Sequence, residues 1–385
     1  MKKINLLFAT AALLAAILPT HSAQAQNLTL RDAPHNMQGL RPLGMGNAFI
    51  ATEGSDINAL FYNPAGLADY EKKTHMDFMS LSAEVSSGAV QFVKDVLDLT
   101  DDLDGADDSS AEVDVLNQFA KDSTGEYQEA GFHLQIANFR RKYIGASLFV
   151  NNRTVLALTN PQSSTVDIEV LSQGGLQVGG AYSFMEDLVQ VGGALKFMER
   201  HLIDAQISER ALVATSDTSD IVDVDNLGFG VGVDLGVKSR LPIKGNKAVD
   251  FLDPVMALTW QDVANTRFTG DVGKTPQSVS LGVAVHPNFD EKFKNTLAID
   301  YSDINRQSTF ITKLHVGYEL LFPEVGSFFH NTGVRVGLNQ GYFTAGFGVD
   351  ARFVKIEAAT WGRELGSISR QGQNRMWGLS FSGAF

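Results

Sequence analysis

The feature that most constrains this chain is a two-residue alternation that starts near residue 131 and recurs to the C-terminus. Residues 227 to 238 set Phe229, Val231, Val233, Leu235 and Val237 on one face, and Gly228, Gly230, Gly232, Asp234, Gly236 and Lys238 on the other. Successive side chains of a strand point to opposite faces, so such a segment is a strand with one apolar side. The pattern repeats with Leu314, Val316, Tyr318 and Leu320 against His315, Gly317 and Glu319, and with Val334, Val336 and Leu338 against Arg335, Gly337 and Asn339. Phe343, Ala345, Phe347, Val349, Ala351 and Phe353 stand in the same way against Thr344, Gly346, Gly348, Asp350 and Arg352. In a soluble sandwich the face opposite the core is rich in Thr, Ser, Lys and Glu. Here it is mostly glycine with scattered charges. Glycine gives a strand nothing to pack, so its repetition on one face predicts a lumen crowded by another piece of backbone.

Strands are expected to begin near 74, 131, 143, 165, 188, 226, 253, 277, 294, 310, 331, 342, 354 and 374. This even count places both ends of the barrel on the same side of a membrane. Segments 87–130, 200–225 and 263–276 are expected as long connections at the outer end, and 241–252 and 321–330 as turns at the inner end. The expected fold is all-β: a transmembrane antiparallel β-barrel of about fourteen strands with its lumen occupied. The start of the chain agrees with export. Lys2 and Lys3 precede an apolar run from Ile4 to Leu18, and Ala23-Gln24-Ala25 offers a small-residue cleavage site before Gln26. That run is shorter than the ~20 residues a spanning helix needs, so residues 1–25 read as a signal peptide. Residues 26–72 then form an N-terminal unit, and 73–385 the barrel.

Composition narrows the function. With no cysteine, disulfide scaffolds, zinc–cysteine sites and thiol catalysis are excluded. A net charge of −13 gives no basic surface for nucleic acid. There is no GxSxG, HExxH or Walker sequence, so no enzyme and no cofactor is expected. His315 shares the lumen face with Glu319, where a hydrogen-bonded filler is a better reading than a base. Residues 88–122 read as an acidic, partly helical loop. Asp102, Asp104 and Gly105 match inner positions of a calcium loop, but Thr100 and Ala111 stand where its first and last ligands belong, so a solvated loop is the better reading.

The inferred lumen carries Lys196, Asp234, Lys238, Asp300, Glu319, Arg335, Asp350, Arg352 and Glu357. Enclosed charges must be paired or hydrated, which points to an ion-pair network bracing the wall against its occupant. A second reading lets the planar forks of Arg335 and Arg352 hold a fatty-acid carboxylate, with Phe49, Leu60 and Phe61 lining its tail.

Residues 41–68, RPLGMGNAFIATEGSDINALFYNPAGLA, resemble the start of the FadL-type outer-membrane transporter superfamily. The match lies in Gly44-Met45-Gly46 and in Asn63-Pro64-Ala65-Gly66. The resemblance implies an N-terminal hatch inside a fourteen-stranded barrel, passive uptake of hydrophobic molecules such as long-chain fatty acids, and lateral escape through a wall opening. For that opening Gly174-Gly175 and Gly179-Gly180 are the candidate kinks. GLNQGYFTAGFGVD (337–350) and WGRELG (361–366) are also similar to a PorV-like and TraF-like branch, which implies a non-transporting scaffold or shuttle. The final strand sets Trp377, Leu379, Phe381 and terminal Phe385 on one face, resembling the signal read by the barrel assembly machinery. Outer-membrane lipid, lipopolysaccharide and hydrophobic small molecules complete the expected partners.

Overall fold

The computed structural model describes residues 38–384 other than 53, 55, 71, 92–117, 119–126, 159–164, 209–226, 242–244, 291, 326–327, 352 and 366–371. Sixteen strands follow one another: β1 His75–Ser86, β2 Tyr127–Arg141, β3 Ile144–Leu158, β4 Thr165–Phe184, β5 Val189–Ser208, β6 Leu227–Arg240, β7 Val255–Gln261, β8 Thr266–Arg267, β9 Lys274–Thr275, β10 Ser278–Val285, β11 Lys294–Tyr301, β12 Leu314–Val325, β13 Phe329–Asn339, β14 Tyr342–Ala351, β15 Val354–Glu364 and β16 Gln373–Ala384. All but β8 and β9 form one closed barrel of fourteen strands, with β1 paired to β16. Closure leaves no free edge around the ring.

Each barrel strand begins within four residues of its expected start. The connections differ more. β5 runs on to Ser208 and β12 to Val325, so the turn expected at 321–330 shrinks to the few residues before Phe329. Residues 87–91 are helical, whereas the acidic run 95–114 lies outside the described residues. The signal peptide and Phe385 also lie outside them.

The two faces of each strand separate as the alternation requires. On β6, Phe229 and Val231 are 55% and 59% exposed, whereas Asp234 and Lys238 on the other face are 1% and 4% exposed. Leu281, Ile299, Phe347, Trp377, Leu379 and Phe381 continue this apolar exterior around the barrel. A continuous outward belt of this kind is solvated by a bilayer rather than by water.

The wall is uneven in height. β4 and β5 have 20 residues each, but β7 has 7 and β10 and β11 have 8. At ~3.3 Å per residue and a ~45° tilt, these strands rise about 47 Å and about 16–19 Å, against an apolar band of ~25 Å. β7 pairs with β6 only from Leu235 to Arg240. The outer half of β6 is therefore left to another segment, the connection that carries the β8–β9 hairpin.

Candidate functional site

The residues that fill the inner half of the lumen begin with a short helix, α1 (Leu40–Gly44), and turn at Gly46, whose φ of 66° favours glycine. A second short helix, α2 (Asn58–Tyr62), leads to Asn63 and a 3-10 turn over Pro64–Asp69. Asn63 caps that turn, its Oδ1 accepting from Ala65 N at 3.0 Å, while its Nδ2 donates to Ile50 O at 2.8 Å. Pro64 opens the turn where no backbone donor is needed. The Asn-Pro-Ala motif thus ties the two halves of the hatch together.

The lumen glycines are its seat. A Cβ on Gly317 would overlap the Met45 carbonyl, one on Gly236 the Asn63 carboxamide, and one on Gly192 the Pro64–Ala65 peptide. One on Gly337 would stand 2.6 Å from Gly46 N, and one on Gly346 2.9 Å from Gly44 Cα. Gly44 and Gly46 thus meet wall glycines backbone to backbone, and any side chain at these positions would displace the hatch.

Buried charges lock it from several sides. Arg41 donates from Nε and Nη2 to the two oxygens of Glu319 at 2.8 and 2.6 Å, and from Nη1 to Asp56 at 2.7 Å. Burial on its own would raise the Asp56 carboxyl, but the Arg41 guanidinium outweighs it and holds Asp56 well below the usual carboxylate range. Asp69 is likewise resisted by burial and held below that range by Lys238, whose Nζ lies 2.5 Å away, with donors from Gly54 N and Gln190. Asp300 Oδ2 accepts the Phe49 and Ile50 N–H groups at 2.6 and 3.0 Å. Thr344 Oγ1 bridges Gly46 N and Gly44 O, and Gln177 and Gln261 donate to the carbonyls of Leu60 and Phe61. His315 Nδ1 sits 3.1 Å from Gly46 O and does the work of a filler.

Against this geometry the expected carboxylate anchors fare differently from the motif residues. Arg335 donates from Nε to Glu319 at 2.7 Å, and its Nη1 lies 3.5 Å from Glu357. The wall already supplies the carboxylates, so Arg335 belongs to the ion-pair network, and a ligand would have to displace a glutamate from it. Arg352 lies outside the described residues. Phe49, Leu60 and Phe61 are 3%, 0% and 4% exposed and pack against protein: Phe49 meets Tyr62 edge-on at 5.3 Å, and Phe61 meets Phe149 at 5.8 Å. They do not line a tail cavity.

Two sizeable cavities lie among the described residues. One of about 660 Å³ lies between the hatch and the wall and has charged and polar side chains through its lining, His75, Asp77, His133, Arg140, Lys294 and Lys355 among them. The other, about 770 Å³, lies in the wall across β3 to β6. Leu148, Leu176, Phe197, Phe229 and Val231 line it from the outward face, and Phe149, Met198 and Phe268 from the lumen face. The Gly174-Gly175 pair is part of its lining. The expected break at this pair is absent, because β4 stays in register with β3 and β5 through both Gly174-Gly175 and Gly179-Gly180. What Gly174 provides is a notch: a Cβ there would find its nearest neighbours at 3.8 Å.

No protein-family model matches the sequence, and no curated protein matches it significantly. Solved structures do. The Pseudomonas putida toluene transporter TodX superposes with a TM-score of 0.51 at 12% identity, over 92% of this chain and 99% of that one. A TodX deltaS2S3 mutant, a monoaromatic hydrocarbon channel, gives 0.51 and 12% over 90% and 98%. The chain has the fold of the TodX hydrocarbon channels. At this identity the likeness is one of architecture, the fourteen-strand barrel preceded by an N-terminal segment.

Several site residues escaped sequence reasoning. Arg41 stands inside the hatch motif with nothing nearby in the chain to mark its partners, Asp56 and Glu319. Phe268 and Asp262 sit in a connection whose entry into the lumen leaves no period. The one signal was Gly228, Gly230 and Gly232, three lumen glycines above those the hatch uses.

Proposed function

We propose that the protein is an outer-membrane barrel for passive transfer of uncharged hydrophobic compounds, moving them sideways through the wall cavity rather than along the axis. The observation that carries this reading is the apolar cavity of about 770 Å³ lined from both faces of the wall. The axial route is obstructed by the hatch, and beyond it lies a polar cavity that an apolar solute enters at a cost. Arg335 is engaged by Glu319 and Glu357, which favours uncharged compounds over the carboxylates of long-chain fatty acids. The outward belt meets membrane lipid and lipopolysaccharide, and the outward Trp377, Leu379 and Phe381 serve delivery by the assembly machinery.

The test is Gly174→Phe, which fills the notch from the lipid side and whose Cβ meets nothing closer than 3.8 Å. Uptake of N-phenylnaphthylamine by cells producing the variant is expected to fall at least fivefold, with the heat-modifiable band of the folded barrel retained. Unchanged uptake would remove the wall cavity from the route.

A second reading, a PorV-like or TraF-like scaffold that transports nothing, is favoured by one observation. A buried apolar cluster that includes Tyr127, Val155, Leu171, Leu202, Val272 and Leu365 fills the lumen apart from the hatch core, so packing occupies both levels. A purified barrel that carries no acyl chains and binds no N-phenylnaphthylamine would decide for the scaffold.

A further inference from the structure

The outer half of β6 is completed by a segment that belongs to no barrel strand. Phe268 forms an antiparallel bridge with Gly230, and Val263 N donates to Val233 O at 2.9 Å. Thr269 N donates to Phe229 O at 2.9 Å, and Phe229 N donates to Thr269 Oγ1 at 2.9 Å. The hairpin formed by β8 and β9 then turns into the lumen, where Asp262, Thr266, Val272 and Thr275 are buried. Room for it comes from the second run of lumen glycines. A Cβ on Gly230 would stand 2.8 Å from the Phe268 ring and one on Gly232 2.5 Å from Thr266 Oγ1, while one on Gly228 would overlap the Thr269 carbonyl.

The polar latch of the hairpin comes mainly from one side, while Val272 at its tip packs into the apolar cluster of Tyr127, Val155, Leu171, Leu202 and Leu365. Lys196 on β5 donates to Asp262 at 2.6 Å and Asp234 at 2.8 Å, and Thr266 Oγ1 donates to the same Asp262 oxygen at 2.7 Å. Arg200, also on β5, lies 3.9 Å above the Phe268 ring and donates to Thr275 Oγ1 at 2.5 Å. Its far leg is pinned separately, by Arg306 Nη2 on Pro276 O at 2.7 Å and Asn305 Nδ2 on Gln277 O at 3.0 Å. An element pinned at one foot, joined to the wall by a few backbone bonds, latched by two cations and otherwise held by the apolar packing of Val272 can open as a unit once latch and packing release together. Arg267, Phe268 and Thr269 also form one side of the wall cavity.

The geometry points to residues 262–275 as a gate that closes the wall beside the outer half of β6, with Phe268 as its shutter and Lys196 and Arg200 as its latch. Withdrawal of the hairpin removes Phe268 from between cavity and lumen and joins the two. The lateral opening therefore lies at the β6 edge and not at the glycine pairs of β4, whose pairing is continuous. The purpose of the gate rests on the transfer reading above; its existence rests on the contacts of the hairpin.

The chain has no cysteine, so Phe229→Cys/Thr269→Cys introduces one defined pair across the gate. Oxidised cells are expected to take up N-phenylnaphthylamine at least fivefold more slowly than cells with the same double variant reduced by dithiothreitol. Wild-type uptake that survives the crosslink overturns the gate and leaves lateral transfer standing. Absence of wild-type uptake removes the transfer reading instead, and the gate is then decided by amide exchange on the full-length protein. In Lys196→Met, exchange at 263–269 is expected to speed at least tenfold while Phe49 and Ile50 keep wild-type rates. Equal acceleration of both regions, or of neither, overturns the gate whatever the uptake assay shows.

Discussion

Among the described residues two pieces of chain occupy this lumen, and their polar anchors are distributed differently. The hatch is anchored all round: Arg41 reaches Glu319 on β12, Asp300 on β11 holds Phe49 and Ile50, Thr344 on β14 holds Gly44 and Gly46, and Lys238 on β6 holds Asp69. The β8–β9 hairpin has its polar attachments on β5 and β6 and at one foot, and the apolar contact of Val272 reaches the other strands. A group tied by buried charges on every side moves only if the whole seat breaks, whereas one whose charges lie on a single side needs only that latch and its apolar packing to release. Ring-wide polar anchoring makes a structural plug, and a one-sided polar latch makes the more easily released part.

The hardest blow to the plug is Arg41→Ala, which strands Asp56 and strips Glu319 of its bidentate partner. Breaking a buried ion pair from one side costs about 3–5 kcal/mol, read as a lower denaturant midpoint in detergent. Lys196→Met, by contrast, is expected to loosen 263–269 locally; an equal loss of hatch protection in both variants would erase the distinction.

Acid probes the same anchors. Asp56 and Asp69 have folded values depressed below an unfolded carboxylate near ~3.9. Their contribution is therefore complete above that unfolded value and is lost as pH falls toward the folded ones. The share of hatch protection that Asp56 and Asp69 supply should stay flat from about pH 8 to 5 and decline below about 4. Arg41→Ala should flatten the part of that decline due to Asp56. A hatch loosening between pH 7 and 5 would show that other groups control it.

Glycine replacements come next in size. Gly317→Ala drives a methyl into the Met45 carbonyl, fixed backbone that has nowhere to go, and should cost about 1–3 kcal/mol. Gly230→Ala meets the edge of the Phe268 ring in a segment able to yield, so its cost should be smaller and its effect should be faster exchange at 263–269. Asn63→Ala removes the cap of the 3-10 turn, and about 1 kcal/mol is expected from thermal unfolding. Smallest of all, Gly174→Phe faces lipid and should shift stability by no more than about 0.5 kcal/mol while acting on uptake.

Much of the architecture was legible in the chain because its causes are local. A two-residue period marks strands and their faces wherever they lie, and the starts read from it fall within four residues of those observed. Glycines repeated on the lumen face announced an occupant, and the structure supplies two, the hatch at Gly236, Gly317 and Gly337 and the hairpin at Gly228, Gly230 and Gly232. The charges were harder. Glu319 and Arg335 stand on neighbouring strands, but Arg41 is 278 residues from Glu319 in the chain, so the network that occupies Arg335 left no trace in sequence spacing. Arg335 read as a waiting anchor because its face was known and its neighbours were not.

Periodicity, glycine and charge content thus dictated a closed, filled barrel with a greasy exterior, since each of these follows from single residues and their immediate neighbours. Closure of the ring decided the rest: which buried charges neutralise one another, which aromatic rings pack on protein rather than on a ligand, and where the wall is thin. Those depend on strands of unequal length meeting around a circle, and on a connection turning inward where β7 stops short of the outer half of β6. Such distances across the lumen are set by the whole ring at once, which no local pattern encodes.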